Sequence, residues 1–167
     1  MKTKKLTMIA MLTALVILLT AYVKIPLPNG EYKHLGDMAI FVAAIIAGPW
    51  AGLFVGGVGS AIADALAGAP QWILATLITK SLMGLTTGLL ATKKGRLFCA
   101  RNFLAMLAGG LVMVAGYHVA YGIMLYDFDF IKPFFTIWTD FAQFGVGLVF
   151  GGLVLFALDR SHKKFWE

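Results

Sequence analysis

Long apolar stretches alternate with short polar or turn-forming segments along the chain. The apolar stretches cover about residues 5–23, 36–47, 50–66, 71–92, 102–125 and 133–158. A helix crosses a bilayer with about 17–25 apolar residues, and every stretch except the second reaches that length. The pattern predicts an all-α integral membrane protein, a compact bundle of six transmembrane helices that forms a single membrane domain over residues 1–167.

Glycine, proline and asparagine mark the predicted connections. Asn29-Gly30 lies in the first connection, 24–35, and Gly48-Pro49 separates the second helix from the third. These residues favour turns, because proline cannot continue a helix and glycine adopts backbone conformations that other residues avoid.

The second stretch is short enough to be a re-entrant segment instead of a crossing. The distribution of positive charge favours a crossing. Ten basic residues fall in the N-terminus, the connection between helices four and five, and the C-terminal tail: Lys2, Lys4, Lys5, Lys93, Lys94, Arg96, Arg101, Arg160, Lys163 and Lys164. With six crossings all ten lie on one side, opposite Lys24, Lys33 and Lys132, as the positive-inside rule requires. We therefore predict six spans with both termini cytoplasmic.

The composition excludes an ordinary soluble domain. Hydrophobic residues make up 60% of the chain and charged residues 13%, whereas soluble proteins carry about 25% charged residues. The net charge of +6 comes from the basic loops and favours anionic lipid over nucleic acid as a partner.

The sequence lacks the motifs of several site types. Cys99 is the single cysteine, which excludes an internal disulfide. His34, His118 and His162 lack the spacing of a metal site. No ATP-binding loop and no hydrolase or metalloprotease motif occurs. We therefore predict that the chain is not an enzyme, has no ATPase motif of its own and requires no cofactor.

Polar residues interrupt the apolar stretches at a few deep positions. Lys80, His118, Asp140 and Gln143 all fall in the outer or middle third of their predicted helices. Polar groups within a membrane are unfavourable, so their presence indicates a functional site. Their clustering toward one side predicts a pocket open to one face, which favours a binding protein for a small solute over a channel.

Aromatic and acidic residues add to this candidate site. Tyr117 and Tyr121 accompany His118 on the fifth helix, Trp138 lies near the outer interface, and Asp64 ends the third helix. His34 lies in the first connection and is placed to help close it over a pocket. Aromatic walls with a few converging polar groups are typical of a site for a small, flat, polar heterocycle.

Each of these residues also has a structural interpretation. Trp138, like Trp72, is typical of an interfacial anchor, and Asp64 is compatible with pairing near water. Asp37 is interpreted as a cap of the second helix and not as a ligand. Lys80 and Asp140 carry opposite charges at similar depth, so they form either a structural ion pair or two contacts to an intervening ligand.

Small residues recur at intervals of four along several predicted helices. Gly52 and Gly56 belong to such a row on the third helix, and Ala10 and Ala14 form a pair on the first. Small side chains allow helix backbones to approach closely within a membrane. For the glycines we predict tight packing inside the bundle.

Four segments together resemble the substrate-binding (S) components of energy-coupling factor (ECF) vitamin transporters, in their riboflavin-transporter-like branch. The segments are HLGD at 34–37, IAGPWAG at 46–52, GGVGSAIAD at 56–64 and TKSLMG at 79–84. The resemblance covers the first four helices, while the last two match by size and hydropathy.

The resemblance implies a function and partners. Such components capture a vitamin from outside and deliver it inward with a transmembrane coupling subunit (EcfT type) and two cytoplasmic ATPases, in the plasma membrane of a bacterium. Ala10 and Ala14 match the pair that contacts the coupling subunit, and 24–35 matches the gating loop. The closest likeness is to members for pyridoxine-type vitamin B6 or for hydroxymethylpyrimidine, the thiamine precursor.

Two alternatives stay open at this point. The first is a stand-alone ion-coupled carrier of a small polar heterocycle, with Lys80, Asp64 and Asp140 as a relay. The second is another vitamin, riboflavin, for the same family.

Overall fold

The structure, a computed structural model, describes residues 2–26, 32–135 and 137–166. The described elements are α1 (Lys2–Ala21), β1 (Lys24–Pro26), β2 (Tyr32–His34), α2 (Gly36–Ala47), α3 (Pro49–Leu66), a 3-10 turn (Pro70–Trp72), α4 (Ile73–Leu90), α5 (Ala100–Met124), a second 3-10 turn (Lys132–Phe135) and α6 (Ile137–Trp166). The predicted Asn29-Gly30 turn and the His162 side chain lie outside the described residues.

The fold is an all-helical bundle, as predicted, with six helices in the described residues. Five of them are long and apolar enough to cross a membrane. α2 differs, because its 12 residues extend only about 18 Å, against about 30 Å for the hydrocarbon core. The six-span topology therefore stays a prediction.

α2 lies in the centre of the bundle. Ten of its 12 residues are buried, and it contacts α1, α3, α4 and α6. A helix that is apolar on all sides is stable only in such surroundings. Ile40, Phe41 and Ile45 are fully buried and supply much of the hydrophobic core.

α2 begins deep within the bundle and not at its end. A Cβ atom added at Gly147 would lie 2.8 Å from the Cβ of Asp37, and Gly147 is about 15 Å along α6 from its first residue. The antiparallel β1–β2 hairpin, in which Lys24 pairs with His34, contacts α1. We call the end of the bundle that includes the connections 67–72 and 125–135 the pocket end. The opposite, basic end includes Gly48 and the connection 91–99.

α3 and α4 pack closely through glycine. A Cβ atom at Gly52 would lie 2.6 Å from the carbonyl oxygen of Gly84, and one at Gly56 would lie 2.5 Å from that of Lys80. A Cβ atom at Gly84 would overlap the carbonyl group of Gly52. The predicted tight packing is therefore confirmed at these glycines, and it fixes where Lys80 on α4 stands relative to α2.

Gly84→Ala is expected to destabilise the protein by about 1–3 kcal/mol, because the added methyl group must push two backbones apart. The matched control is Gly145→Ala on α6, where nothing lies within 4 Å of the added atom. Unfolding in mixed micelles measures both variants. Equal stability of the two variants would contradict the packing of α3 against α4.

Candidate functional site

A cavity of about 310 Å³ lies at the pocket end of the bundle. α1, β2, α3, α4, α5 and α6 all contribute side chains to its wall. The lining residues are Thr20, Lys33, His34, Asp64, Ala67, Trp72, Thr76, Tyr117, Tyr121, Leu125, Asp140 and Gln143. Charged, hydroxyl and aromatic groups therefore converge on one partly open space, as in small-molecule sites.

The cavity brings together most of the site residues predicted from the sequence. The predicted residues that line it are His34, Asp64, Tyr117, Tyr121, Asp140 and Gln143. Lys80, His118 and Trp138 are not among its lining residues. Thr20, Lys33 and Thr76 line the cavity but were not predicted. Trp72 also lines it; the sequence placed this residue near the outer interface, either as a stacking surface or, with more weight, as an anchor.

Lys80 lies beneath the cavity and is paired with Asp37. The ammonium nitrogen of Lys80 is 2.5 Å from Asp37 Oδ1, and both side chains are fully buried. Lys80 Nζ also lies 2.9 Å from the sulfur of Met113. Of the two alternatives for Lys80 and Asp140, the ion pair between them is therefore wrong. The interpretation of Asp37 as a helix cap is also wrong, because its carboxylate bonds to side chains of α4 and α6, and α2 has no side-chain hydrogen bond at its N-cap.

Asp140 pairs with a residue of the hairpin. Lys33 Nζ is 3.2 Å from Asp140 Oδ1, and the two side chains are only 11% and 5% exposed. This ion pair ties β2 to α6 across the cavity. Lys33 was counted only among the loop charges, because the sequence does not show that the hairpin folds back onto the bundle.

Gln143 and His34 form the floor of the cavity above the Lys80–Asp37 pair. Gln143 Nε2 donates to Asp37 Oδ2 at 2.9 Å, and the backbone N–H of Gly36 donates to His34 Nδ1 at 3.3 Å. The pKa of His34 is lowered to about 4, chiefly by burial; Asp37 opposes this shift, and Lys80 and Lys33 add to it. The imidazole is therefore neutral at pH 7.

Hydroxyl and aromatic groups form the opposite wall. The hydroxyl oxygen of Thr76 lies 3.2 Å from that of Tyr117, and either group can donate. Asp64 lines the same part of the cavity. The ring of Tyr121 lies 5.1 Å from that of Trp72 and 6.2 Å from that of Tyr117. This wall offers flat surfaces against which a heterocycle can stack.

His118 and Trp138 face other surroundings. The ring of His118 lies 4.4 Å from that of Phe134, and Trp138 is 54% exposed. The structure does not bring either residue into the cavity wall. Trp138 is placed as an interfacial anchor would be.

Ala10 and Ala14 are both exposed on α1. Met11, between them, is 68% exposed and Leu18, further along the helix, is 54% exposed. A partner helix therefore has access to this small-residue pair, and its role as a docking face stays a prediction.

The chain matches the family described as "ECF-type riboflavin transporter, S component" over residues 1–160. It is 38% identical over 143 residues to the "Uncharacterized protein in gap 3'region" of Pyrococcus woesei, which covers 84% of this chain and 92% of that protein. It is 29% identical over 160 residues to the "Thiamine precursor transporter HmpT" of Lactococcus lactis subsp. cremoris (strain MG1363), which covers 95% of this chain and 89% of that protein.

These matches confirm the resemblance found in the sequence. They also agree with a multi-pass membrane protein whose long apolar helices surround a polar cavity. The chain belongs to the ECF-type riboflavin transporter S components, a family of membrane transport components and not of enzymes.

Proposed function

We propose that this S component captures a small, water-soluble vitamin precursor in the cavity at its pocket end and delivers it inward. The ligand is hydroxymethylpyrimidine or a pyridoxine-type form of vitamin B6. Delivery requires a transmembrane coupling subunit of the EcfT type and two cytoplasmic ATPases. The observation that carries this proposal is the cavity of mixed polar and aromatic lining, in which the Lys33–Asp140 ion pair joins β2 to α6.

The size of the cavity favours a single-ring ligand. At about 310 Å³ it lies at the lower end of the range of about 300–1,000 Å³ that ligand pockets span. Riboflavin, with three fused rings and a sugar-alcohol chain, requires more space than one substituted pyrimidine or pyridine. The relative described as a thiamine precursor transporter supports hydroxymethylpyrimidine as the first candidate.

The charges do not favour a stand-alone ion-coupled carrier. A relay through Lys80, Asp64 and Asp140 requires these groups to exchange protons or ions along a path. Lys80 instead bonds to Asp37, and Asp140 bonds to Lys33. With both groups held in fixed pairs, a relay through Lys80 and Asp140 is not favoured.

Calorimetric titration of the detergent-purified protein tests the ligand. We expect hydroxymethylpyrimidine to bind most tightly, ahead of pyridoxine, thiamine and riboflavin. Because Trp72 lines the cavity, binding should also change tryptophan fluorescence, and Trp72→Phe should reduce that signal while calorimetry still detects binding. Binding of riboflavin alone, or of none of the four, would overturn the proposed ligand class.

The orientation follows from charge: we place the basic end in the cytoplasm and the pocket end outside. In a Cys99→Ser background, Lys132→Cys should react with an impermeant thiol reagent added to intact cells, whereas Lys94→Cys should not. Both lysines are exposed and lie in connections at opposite ends of the bundle, so burial does not separate them. Labelling of Lys94→Cys from outside would reverse the orientation.

A further inference from the structure

The buried ion pair determines how the Gln143 side chain is turned. Asp37 Oδ1 is held by Lys80, so Oδ2 is the oxygen left to face Gln143. A carboxylate accepts but cannot donate, which requires the amide nitrogen of Gln143 to point at Asp37. The amide oxygen Oε1 then points away from Asp37, and no described residue donates a hydrogen bond to it. Because Gln143 lines the cavity, Oε1 is an acceptor available to a ligand.

The backbone determines which nitrogen of His34 carries the proton. Gly36 N–H donates to Nδ1, so Nδ1 is the acceptor and a neutral imidazole carries its hydrogen on Nε2. The low pKa of His34 agrees with a neutral ring. Nε2 lies 3.5 Å from Gln143 Nε2, an amide nitrogen that is itself a donor and cannot accept this hydrogen. The Nε2–H of His34 is therefore a donor available to a ligand beside the Gln143 acceptor.

We propose that His34 and Gln143 together recognise the ligand. His34 Nε2–H donates to a ring nitrogen, and Gln143 Oε1 accepts from an amino group next to that nitrogen. The inference rests on the proposed function and narrows the ligand class to rings that carry an amino group beside a ring nitrogen, as an aminopyrimidine does. Asp37 and Lys80 act as positioning residues, because they hold the amide of Gln143 in the required orientation.

This pair distinguishes between the two candidate ligands. The ring of hydroxymethylpyrimidine carries an amino donor directly beside an acceptor nitrogen, which complements the donor and acceptor of the floor. In pyridoxine, the two carbons beside the ring nitrogen carry a methyl group and a hydrogen, so no hydrogen-bond donor stands next to that nitrogen. A lactam edge, as in riboflavin, places its donor and acceptor in the reverse order. Unpaired polar groups in a buried site are unfavourable, so a mismatched edge weakens binding.

Affinities of the full-length protein for hydroxymethylpyrimidine and for pyridoxine test the pair. His34→Leu and Gln143→Met should each weaken hydroxymethylpyrimidine binding by about tenfold or more, as expected for loss of one buried hydrogen bond. His34→Gln should retain most of the affinity, because its amide nitrogen can take the place of Nε2. Gln71→Met, the same change at an exposed glutamine, should leave the affinity unchanged.

A purely structural role of the two residues would lower the affinity for both ligands together. Direct recognition of the ligand instead predicts that the preference for hydroxymethylpyrimidine over pyridoxine is lost in His34→Leu and Gln143→Met. Wild-type binding of hydroxymethylpyrimidine that neither variant weakens would overturn this inference and leave the proposed function standing. Tighter wild-type binding of pyridoxine would also overturn the inference alone. A wild-type protein that binds neither compound would overturn both.

Discussion

Replacing Lys80 by methionine is expected to lower the free energy of unfolding by about 3–5 kcal/mol, because the carboxylate of Asp37 is left buried without its counter-charge. Both side chains are fully buried, so water cannot take the place of the lost partner. SDS-titrated unfolding in mixed micelles measures the loss. The folded fraction should also bind its ligand more weakly, because Gln143 then has a less firmly held partner.

The double variant Asp37→Leu/Lys80→Met provides the decisive comparison. In the double variant no unpaired Asp37 carboxylate is left buried. Its free energy of unfolding should therefore recover most of the loss seen in Lys80→Met. Lys132→Met is the matched control, because it breaks an ion pair with Asp129 whose side chains are 61% and 35% exposed. Such exposed pairs contribute about 0–1 kcal/mol. A Lys80→Met variant as stable as Lys132→Met would contradict the buried pair.

Ala10→Trp or Ala14→Trp is expected to abolish ATP-dependent uptake while ligand binding stays intact. Both alanines are exposed on α1, and neither lines the cavity, to which α1 contributes Thr20. An indole ring at either position would separate helices whose approach depends on small side chains. Uptake of labelled hydroxymethylpyrimidine in cells that co-express the coupling subunit and ATPases measures transport, and calorimetry on the purified variants measures binding.

Ala115→Trp is the matched control for this docking face. Ala115 is likewise exposed, but on α5, so the same bulky ring should be accommodated by lipid and uptake should continue. Normal uptake in Ala10→Trp and Ala14→Trp would remove α1 as the docking face. Equal loss in Ala115→Trp would show that the effect is general to bulky residues on the bundle surface.

Much of the helical architecture follows from hydropathy. Each apolar stretch corresponds to a helix, because a backbone within a membrane must satisfy its hydrogen bonds internally. α2 begins at Gly36 and ends at Ala47, where Gly48 and Pro49 interrupt the apolar pattern. The depth of α2 could not be read in this way, because a short apolar helix has the same composition whether it crosses a membrane or starts halfway down a bundle.

The sequence predicted which residues form the candidate site more successfully than it predicted which residues they contact. Asp140 and Gln143 were identified because polar groups within apolar helices require a reason to be there, and both line the cavity. His118 met the same criterion but packs against Phe134. Depth along a helix is visible in the sequence, whereas the direction in which a side chain faces depends on how the helices rotate against one another.

Hydropathy and a few short segments were enough to predict a helical membrane bundle that resembles the S components, with polar groups toward one end. The pairing of Lys80 with Asp37 and of Asp140 with Lys33 became visible only in the folded chain. Local patterns indicate whether a residue is surrounded by lipid, protein or water, but not which group it contacts. The choice between two buried carboxylates of similar depth depends on distances of a few ångströms, which the close approach of α3 and α4 and the fold of the hairpin determine.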